Sequence, residues 1–104
     1  MQLARIIGSV VATRKEPSLN GLRLMMVRPL DDAGRDSGSV LVAADAVGAG
    51  VDEIVLIASG SSARQTQQTD KRPVDAVIMA IVDSWDVNGE ERYRKNPEKQ
   101  VADN

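Results

Sequence analysis

Short apolar runs, separated by turn residues, dominate the chain. Five such runs, rich in Ile, Val, Leu, Met and Ala, span residues 3–13, 22–30, 39–47, 54–59 and 74–83. Charged or Gly- and Pro-containing segments divide them, among them Asn20-Gly21, a strong turn signal. Runs of this length and spacing are typical of β-strands. We therefore expect a mostly β fold, a small five-stranded antiparallel β-barrel or sandwich.

One short helix is predicted after the fourth run. Ser62 and Gln65 have the spacing of a capping box, so the helix is expected over residues 62–68, before Pro73. Pro29 is expected at or near the end of the second strand, because proline donates no hydrogen bond to a sheet. From residue 87 onward the chain is almost wholly polar. We predict one β-barrel domain over residues 1–86, followed by a flexible polar tail, residues 87–104.

Apolar residues occupy both faces of several predicted strands. In residues 74–83 one face is wholly apolar, and the opposite face is apolar in its middle, at Val77, Met79 and Ile81. A sheet with one face in water alternates apolar and polar residues instead. A single short helix cannot cover a second apolar face, so we expect another copy of the protein to cover it. The alternative is that a tight barrel and its tail hide that face.

The amino-acid composition excludes most of the common kinds of catalytic and metal-binding site. The 104 residues suffice for one domain, contain no Cys and no His, and carry a net charge of −2. A disulfide framework, a Cys/His zinc site and a His-based triad are therefore excluded, and we expect no metal and no cofactor. The only aromatic residues, Trp85 and Tyr93, lie near the charged tail. An aromatic, basic nucleic-acid surface is thus not expected, and no apolar run approaches the ~20 residues of a membrane helix.

Three groups of residues are candidate sites. The serines of residues 59–62 lie where a predicted strand meets the predicted helix. No histidine or other base accompanies them, so we interpret the segment as a tight turn rather than as a catalytic nucleophile. The alternative is that the start of the helix binds a small anion. Gly48-Ala49-Gly50 lacks the spacing of a phosphate loop and is interpreted as a turn. Asp45, Asp75 and Asp83 are interpreted as ion-pair partners of arginines in the same or a neighbouring subunit rather than as an acid–base pair.

Five segments, in order, resemble the EutN/CcmL family of bacterial microcompartment vertex proteins. They are Met-Gln-Leu-Ala-Arg-Ile-Ile-Gly-Ser-Val-Val-Ala-Thr-Arg-Lys at residues 1–15, Gly-Leu-Arg-Leu-Met-Met-Val-Arg-Pro-Leu-Asp at 21–31, Val-Ala-Ala-Asp-Ala-Val-Gly-Ala-Gly at 42–50, Gly-Ser-Ser-Ala-Arg at 60–64 and Pro-Val-Asp-Ala-Val-Ile at 73–78. The resemblance ends near residue 86.

The resemblance implies a non-enzymatic protein with a five-stranded barrel related to the oligonucleotide-binding (OB) fold. It implies homopentamers that cap the vertices of a cytoplasmic microcompartment shell and contact hexagonal shell proteins. An alternative is a pentameric module that binds or passes a small metabolite or anion at its central pore. By the same resemblance, the pore is expected at Ser59, Gly60, Ser61, Ser62 and Arg64. Subunit contacts are expected at Arg5, Asp45, Val47, Gly48 and Asp75.

Overall fold

The computed structural model describes residues 1–95. Within them lie seven strands and two 3₁₀ turns, the turns being Pro17–Leu19 and Gly60–Arg64. The strands are β1 (Gln2–Val10), β2 (Leu24–Pro29), β3 (Leu41–Asp45), β4 (Ile54–Ser59), β5 (Ala76–Ile81), β6 (Ser84–Val87) and β7 (Glu90–Arg94). Each of the five apolar runs contains one of the strands β1–β5, to within one residue at the start of β1, which confirms the predicted five-stranded core. As predicted, β2 ends at Pro29.

Strands β1–β5 form a closed barrel in the order β1-β2-β3-β5-β4, with β4 returning to pair with β1. Four of the neighbouring pairs are antiparallel, whereas β3 and β5 are parallel through Ala44↔Val77 and Asp45↔Ile78. The prediction of an antiparallel barrel is therefore wrong for this one pair. The reason is parity: strand directions cannot alternate around a closed ring of five, so at least one neighbouring pair must run parallel.

The barrel interior is filled by alternate residues of its strands, as the two-residue period of a strand requires. The fully buried members with the largest side chains are Ile6, Met25, Val27, Ile57 and Ile78. The pairing of β1 with β2 shifts register between Ile6 and Gly8. This irregularity is a β-bulge, and it leaves Ile7 on the outer surface, 40% exposed.

A second apolar cluster lies outside the barrel. The 3₁₀ turn Gly60–Arg64 packs its buried Ala63 with Ala58 and Val77, on the outer side of β4 and β5. The chain thus covers part of its second apolar face by itself. At Met26 on β2 and its cross-strand neighbour Val42 on β3 it does not, and these two residues remain 37% and 46% exposed.

The predicted helix over residues 62–68 is wrong in type and extent. Only the 3₁₀ turn Gly60–Arg64 forms, and Ser59 at its N-cap makes no side-chain capping bond. Beyond it, the hydroxyls of Thr66 and Thr69 contact each other at 2.7 Å, and each accepts a hydrogen bond from the other residue's backbone N–H. Threonine hydroxyls that bond the local backbone compete with helix formation, which explains why the turn goes no further.

The predicted polar tail also differs, because β6 and β7 form a hairpin. Asn88 and Gly89 link the two strands with φ values of +54° and +79°, the left-handed pair that a two-residue type I′ turn requires. Trp85 stacks on Tyr93 with 4.9 Å between ring centroids, and its Nε1 donates to the carbonyl of Asp32 at 2.9 Å. Regular structure therefore extends past the expected domain limit at residue 86, while residues 96–104 of the expected tail lie outside the described residues.

A charged contact fixes the far end of the hairpin to the barrel. The Lys95 ammonium group forms an ion pair with Glu53, which also accepts a hydrogen bond from the Gly50 N–H at 2.6 Å. These two partners hold the pKa of Glu53 below its ordinary value, and the Glu53 carboxylate raises the pKa of Lys95.

No helix within residues 1–95 is long and apolar enough to cross a membrane.

Candidate functional site

The five residues predicted to line a pore occupy one continuous exposed segment. Ser59 ends β4, and Gly60, Ser61, Ser62 and Arg64 lie in the following 3₁₀ turn. Gly60 has φ +63°, and its N–H donates to the Asp75 carbonyl at 2.8 Å. The tight turn that the sequence predicted here is confirmed.

Two contacts hold this segment, which we call the axial segment (residues 59–64), against the barrel. Ala63 is fully buried beneath it, and the Arg64 guanidinium donates to the carbonyl of Val74 at 3.1 Å. The segment consequently presents hydroxyl groups, backbone and one cation to the outside while its middle is anchored. Whether it faces a five-fold axis is a property of the assembly and stays a prediction.

The axial segment carries no complete catalytic set. A serine acts as a nucleophile only when a neighbouring base activates it, and this chain contains no histidine. Over residues 1–95, no three acidic, His or Cys side chains come together in a way that could hold a metal ion. What the segment offers chemically is hydrogen bonding and one positive charge.

Asp45 organises the loop between β3 and β4. Its Oδ1 accepts hydrogen bonds from the N–H groups of Val47 at 3.0 Å and Gly48 at 3.1 Å, and its Oδ2 accepts one from Ala49 at 3.0 Å. Arg23 Nη1 adds an ion pair to Oδ2 at 2.7 Å and also donates to the Ala49 carbonyl at 2.6 Å. The Asp45 side chain is 1% exposed. Its predicted role as an ion-paired structural residue is confirmed.

This loop explains why Gly48 is a glycine. With φ +76°, Gly48 adopts a left-handed conformation that the three N–H bonds to Asp45 impose, and the predicted turn with unusual backbone angles is confirmed. Val47 and Gly48 are both exposed at the outside of the loop. Arg23, which completes the network, was missed by the sequence analysis. The signal for it was weak, because Arg23 is one of two arginines, with Arg28, in the apolar run 22–30.

The remaining predicted contact residues, Arg5 and Asp75, lie in different surroundings. Arg5 is half-buried and engages its own chain, donating to the Gly34 carbonyl at 3.4 Å and lying 3.8 Å from the Asp36 carboxylate. Asp75 is exposed just before β5, and its carboxylate forms no ion pair within residues 1–95. Arg5, Asp45 and Asp75 are therefore not brought together into one site.

The axial segment contributes to one surface depression, and a second includes Val74 and Asp75, whose carbonyls accept hydrogen bonds from Arg64 and Gly60. The larger, which we call the β4 depression, has a volume of about 500 Å³ and is lined by Met1, Gln2, Ala58, Ser59, Ser62, Gln65 and Met79. The smaller, which we call the β3 groove, has a volume of about 190 Å³ and is lined by Leu19, Leu24, Val42, Ala44, Pro73, Val74, Asp75 and Ala76. The β3 groove is walled mainly by apolar side chains, whereas four of the seven residues that line the β4 depression are polar: Gln2, Ser59, Ser62 and Gln65.

Comparison with known proteins connects this architecture to one family. The family model for "Ethanolamine utilisation protein EutN/carboxysome" matches residues 1–83. The carboxysome shell vertex protein CcmL of Synechococcus elongatus is 48% identical over 95 residues, covering 91% of this chain and 96% of that protein. The solved structure of Gloeobacter violaceus CcmL superposes with a TM-score of 0.87 at 45% identity, covering 91% of this chain and 98% of the other.

A shorter relative is also informative. The structure of GrpN from Rhodospirillum rubrum, described as a pentameric microcompartment shell protein, superposes with a TM-score of 0.75 at 41% identity. The match covers 84% of this chain and 100% of GrpN. A pentameric relative is therefore built from fewer residues than the 95 described here.

Proposed function

The chain belongs to the EutN/CcmL family, and on that premise we propose that it is a structural subunit of a bacterial microcompartment shell. In this role it assembles into pentamers that cap the vertices of the polyhedral shell. The observation that carries the proposal is the family match over residues 1–83, which span the whole of the closed barrel. The protein acts where the shell is, in the bacterial cytoplasm, and hexagonal shell proteins are its neighbours.

In this role the protein acts through its shape and its packing against neighbouring subunits, and it does not act as an enzyme. The buried polar groups support this: the Asp45 carboxylate is fully engaged with three N–H groups and Arg23, so it holds a loop in place. A catalytic acid or base would need to reach a substrate. The exposed axial segment offers serines that no histidine can activate.

A second candidate function is a pore at the centre of the pentamer that binds or passes a small metabolite or anion. The favouring observation is that Ser61, Ser62 and Arg64 are exposed together on one anchored segment. Electron density for a soaked anion on the five-fold axis of a crystal, lost in Arg64→Ala, would support it. Density unchanged by both Arg64→Ala and Ser61→Ala would place the axis elsewhere.

Native mass spectrometry of the purified full chain tests the assembly. A dominant pentamer is expected, and a monomer at micromolar concentration would overturn the proposal. Coexpression with a hexagonal shell protein tests the vertex role. Closed polyhedral particles are expected with this chain and open or elongated assemblies without it; particles that close equally well in its absence would refute the vertex role.

A further inference from the structure

We propose that Asn88, at the tip of the β6–β7 hairpin, is a site of spontaneous deamidation, and that its isoaspartate product opens the hairpin. The pair Asn-Gly occurs twice in this chain, at residues 20–21 and 88–89, and the structure distinguishes the two. The inference concerns the chain itself, so it does not depend on the proposed function.

The reaction takes place within the chain and consumes only water. The backbone nitrogen of Gly89 loses its proton to a base from the solvent and attacks the side-chain amide carbon of Asn88. A new C–N bond closes a succinimide ring, and the bond from that carbon to Nδ2 breaks, so that the amide nitrogen takes up a proton and leaves as ammonia. Water then opens the ring at either carbonyl, which gives aspartate or isoaspartate. Glycine favours the attack because it has no side chain to obstruct its nitrogen.

The peptide group between Asn88 and Gly89 is exposed and unrestrained. Both residues are exposed, and they form the turn itself, beyond the last cross-strand pair, Val87↔Glu90. Within residues 1–95, no hydrogen bond to the Asn88 carbonyl or from the Gly89 N–H holds this group. Attack on the side chain requires the group to rotate, so its freedom favours the reaction.

The hairpin is anchored away from its tip. Its sheet has only two strands, and its packed contacts are the stack of Trp85 on Tyr93 and the ion pair of Lys95 with Glu53. Two-stranded hairpins are marginally stable, and segments with few packed contacts open locally at little cost in free energy. The turn at Asn88 is therefore expected to reach reactive conformations often.

Asn20 is equally exposed, but its turn is held by other parts of the chain. The Arg72 guanidinium donates hydrogen bonds to the carbonyls of Asn20 and Ser18, and the Asn20 N–H donates to the Pro17 carbonyl at 3.0 Å. Rotation of the peptide group between Asn20 and Gly21 must break the bond from Arg72. Asn20 should therefore react about tenfold more slowly than Asn88, the factor that one hydrogen bond from a charged group is worth.

Isoaspartate is incompatible with the turn that Asn88 makes. It carries the main chain through its Cβ and so adds one carbon atom to the backbone, whereas a two-residue turn needs a fixed length and two positive φ angles. Val87 and Glu90 can then no longer pair. The new carboxylate also lies beside an existing cross-strand pair of like charges, Asp86↔Glu91, which disfavours closing the hairpin again.

Peptide mapping of the aged full chain measures both sites at once. A protease that cleaves after lysine and arginine places Asn20 in a peptide of residues 16–23 and Asn88 in one of residues 72–92, and each peptide contains a single asparagine. After incubation at neutral and mildly alkaline pH, mass spectrometry should show the faster conversion at Asn88, with a rate that rises with pH. Conversion of Asn20 at an equal or higher rate would overturn the inference.

Two controls test whether structure causes the difference. In concentrated urea both sites should react at similar rates, and an Asn20 that stays equally slow there would show that its neighbours in sequence protect it. In the folded chain, Arg72→Ala should raise the rate at Asn20 towards that at Asn88 and leave Asn88 unchanged. An unchanged rate at Asn20 would refute the role given to Arg72.

Tryptophan fluorescence tests the opening of the hairpin, because Trp85 is the only tryptophan in the chain. Its emission should shift to longer wavelength in step with isoaspartate, which labelling by an isoaspartyl methyltransferase detects. Asn88→Gly is the matched control, since glycine accepts a positive φ and has no amide to lose. It should keep its emission on ageing. Isoaspartate at residue 88 without a shift, or the same shift in Asn88→Gly, would overturn the proposed opening.

Discussion

Replacing Asp45 with asparagine should destabilise the barrel more than any other single change of one carboxylate to an amide. The Asp45 side chain is 1% exposed, and its two oxygens accept bonds from three backbone N–H groups and from Arg23. An asparagine oxygen can still serve Val47 and Gly48. Its NH₂ group must then face the N–H of Ala49 and the guanidinium, which are both donors.

The loss of unfolding free energy depends on whether each donor that loses its Asp45 partner can form another hydrogen bond. Ala49 is fully buried, so its N–H loses its partner at about 1–3 kcal/mol. The Arg23 side chain is 53% exposed and can turn to water, which limits its loss to roughly 1 kcal/mol or less. Asp45→Asn should therefore cost about 1–4 kcal/mol, a substantial part of the ~5–15 kcal/mol that stabilises a typical domain. Arg23→Ala should cost less, about 1–2 kcal/mol: the three N–H bonds to Asp45 survive, while the ion pair and the hydrogen bond to the Ala49 carbonyl are lost.

Denaturant unfolding at one fixed protein concentration measures these differences, since assembly makes apparent stability depend on concentration. Asp36→Asn is the matched control: its carboxylate is 60% exposed and lies 3.8 Å from each of its two arginines, so a change within about 0.5 kcal/mol is expected. Equal losses for Asp45→Asn and Arg23→Ala would show that the ion pair, and not the backbone bonding, stabilises the loop. A loss below about 0.5 kcal/mol for Asp45→Asn would refute the reasoning.

Three further outcomes are expected. Lys95 and a backbone N–H lower the pKa of Glu53 below its ordinary 4.5, so the ionised carboxylate stabilises the fold above that pH, and this contribution is lost as the pH falls through the lowered pKa. Glu53→Gln should therefore make the free energy of unfolding depend less on pH in the acid range. An unchanged pH dependence would count against the contact. Gly48→Ala should cost about 1 kcal/mol in unfolding free energy for its positive φ, whereas Gly8→Ala, with open space and no positive φ, should cost less; equal losses would contradict the backbone argument. Deleting residues 84–104 should leave pentamers in native mass spectra, since the family match ends at residue 83, and monomers would make the hairpin part of the ring contact.

The sequence allowed the strand positions to be predicted because each barrel strand is a run of apolar, often β-branched residues. Contacts between residues that are distant in the sequence were harder to predict. Arg23 and Asp45 are 22 residues apart, and their pairing depends on β2 and β3 being neighbours. The β6–β7 hairpin was missed although Asn88-Gly89 is a strong turn signal, because the flanking residues are mostly charged and only the pair Trp85 and Tyr93 gives the strands a packed side.

The two-sided apolar strands had two explanations, cover by the chain itself or cover by another copy, and residue size separates them. Where the 3₁₀ turn covers the barrel, small residues meet: Ala44 and Ala58 on the barrel strands and Ala63 in the turn let backbone approach backbone. On β2 and at the start of β3, by contrast, the outward residues Met26 and Val42 are large and still partly exposed. Small residues on an outer face thus mark cover from within the chain. Large exposed ones mark the surface left for a partner, and on this barrel they border the β3 groove.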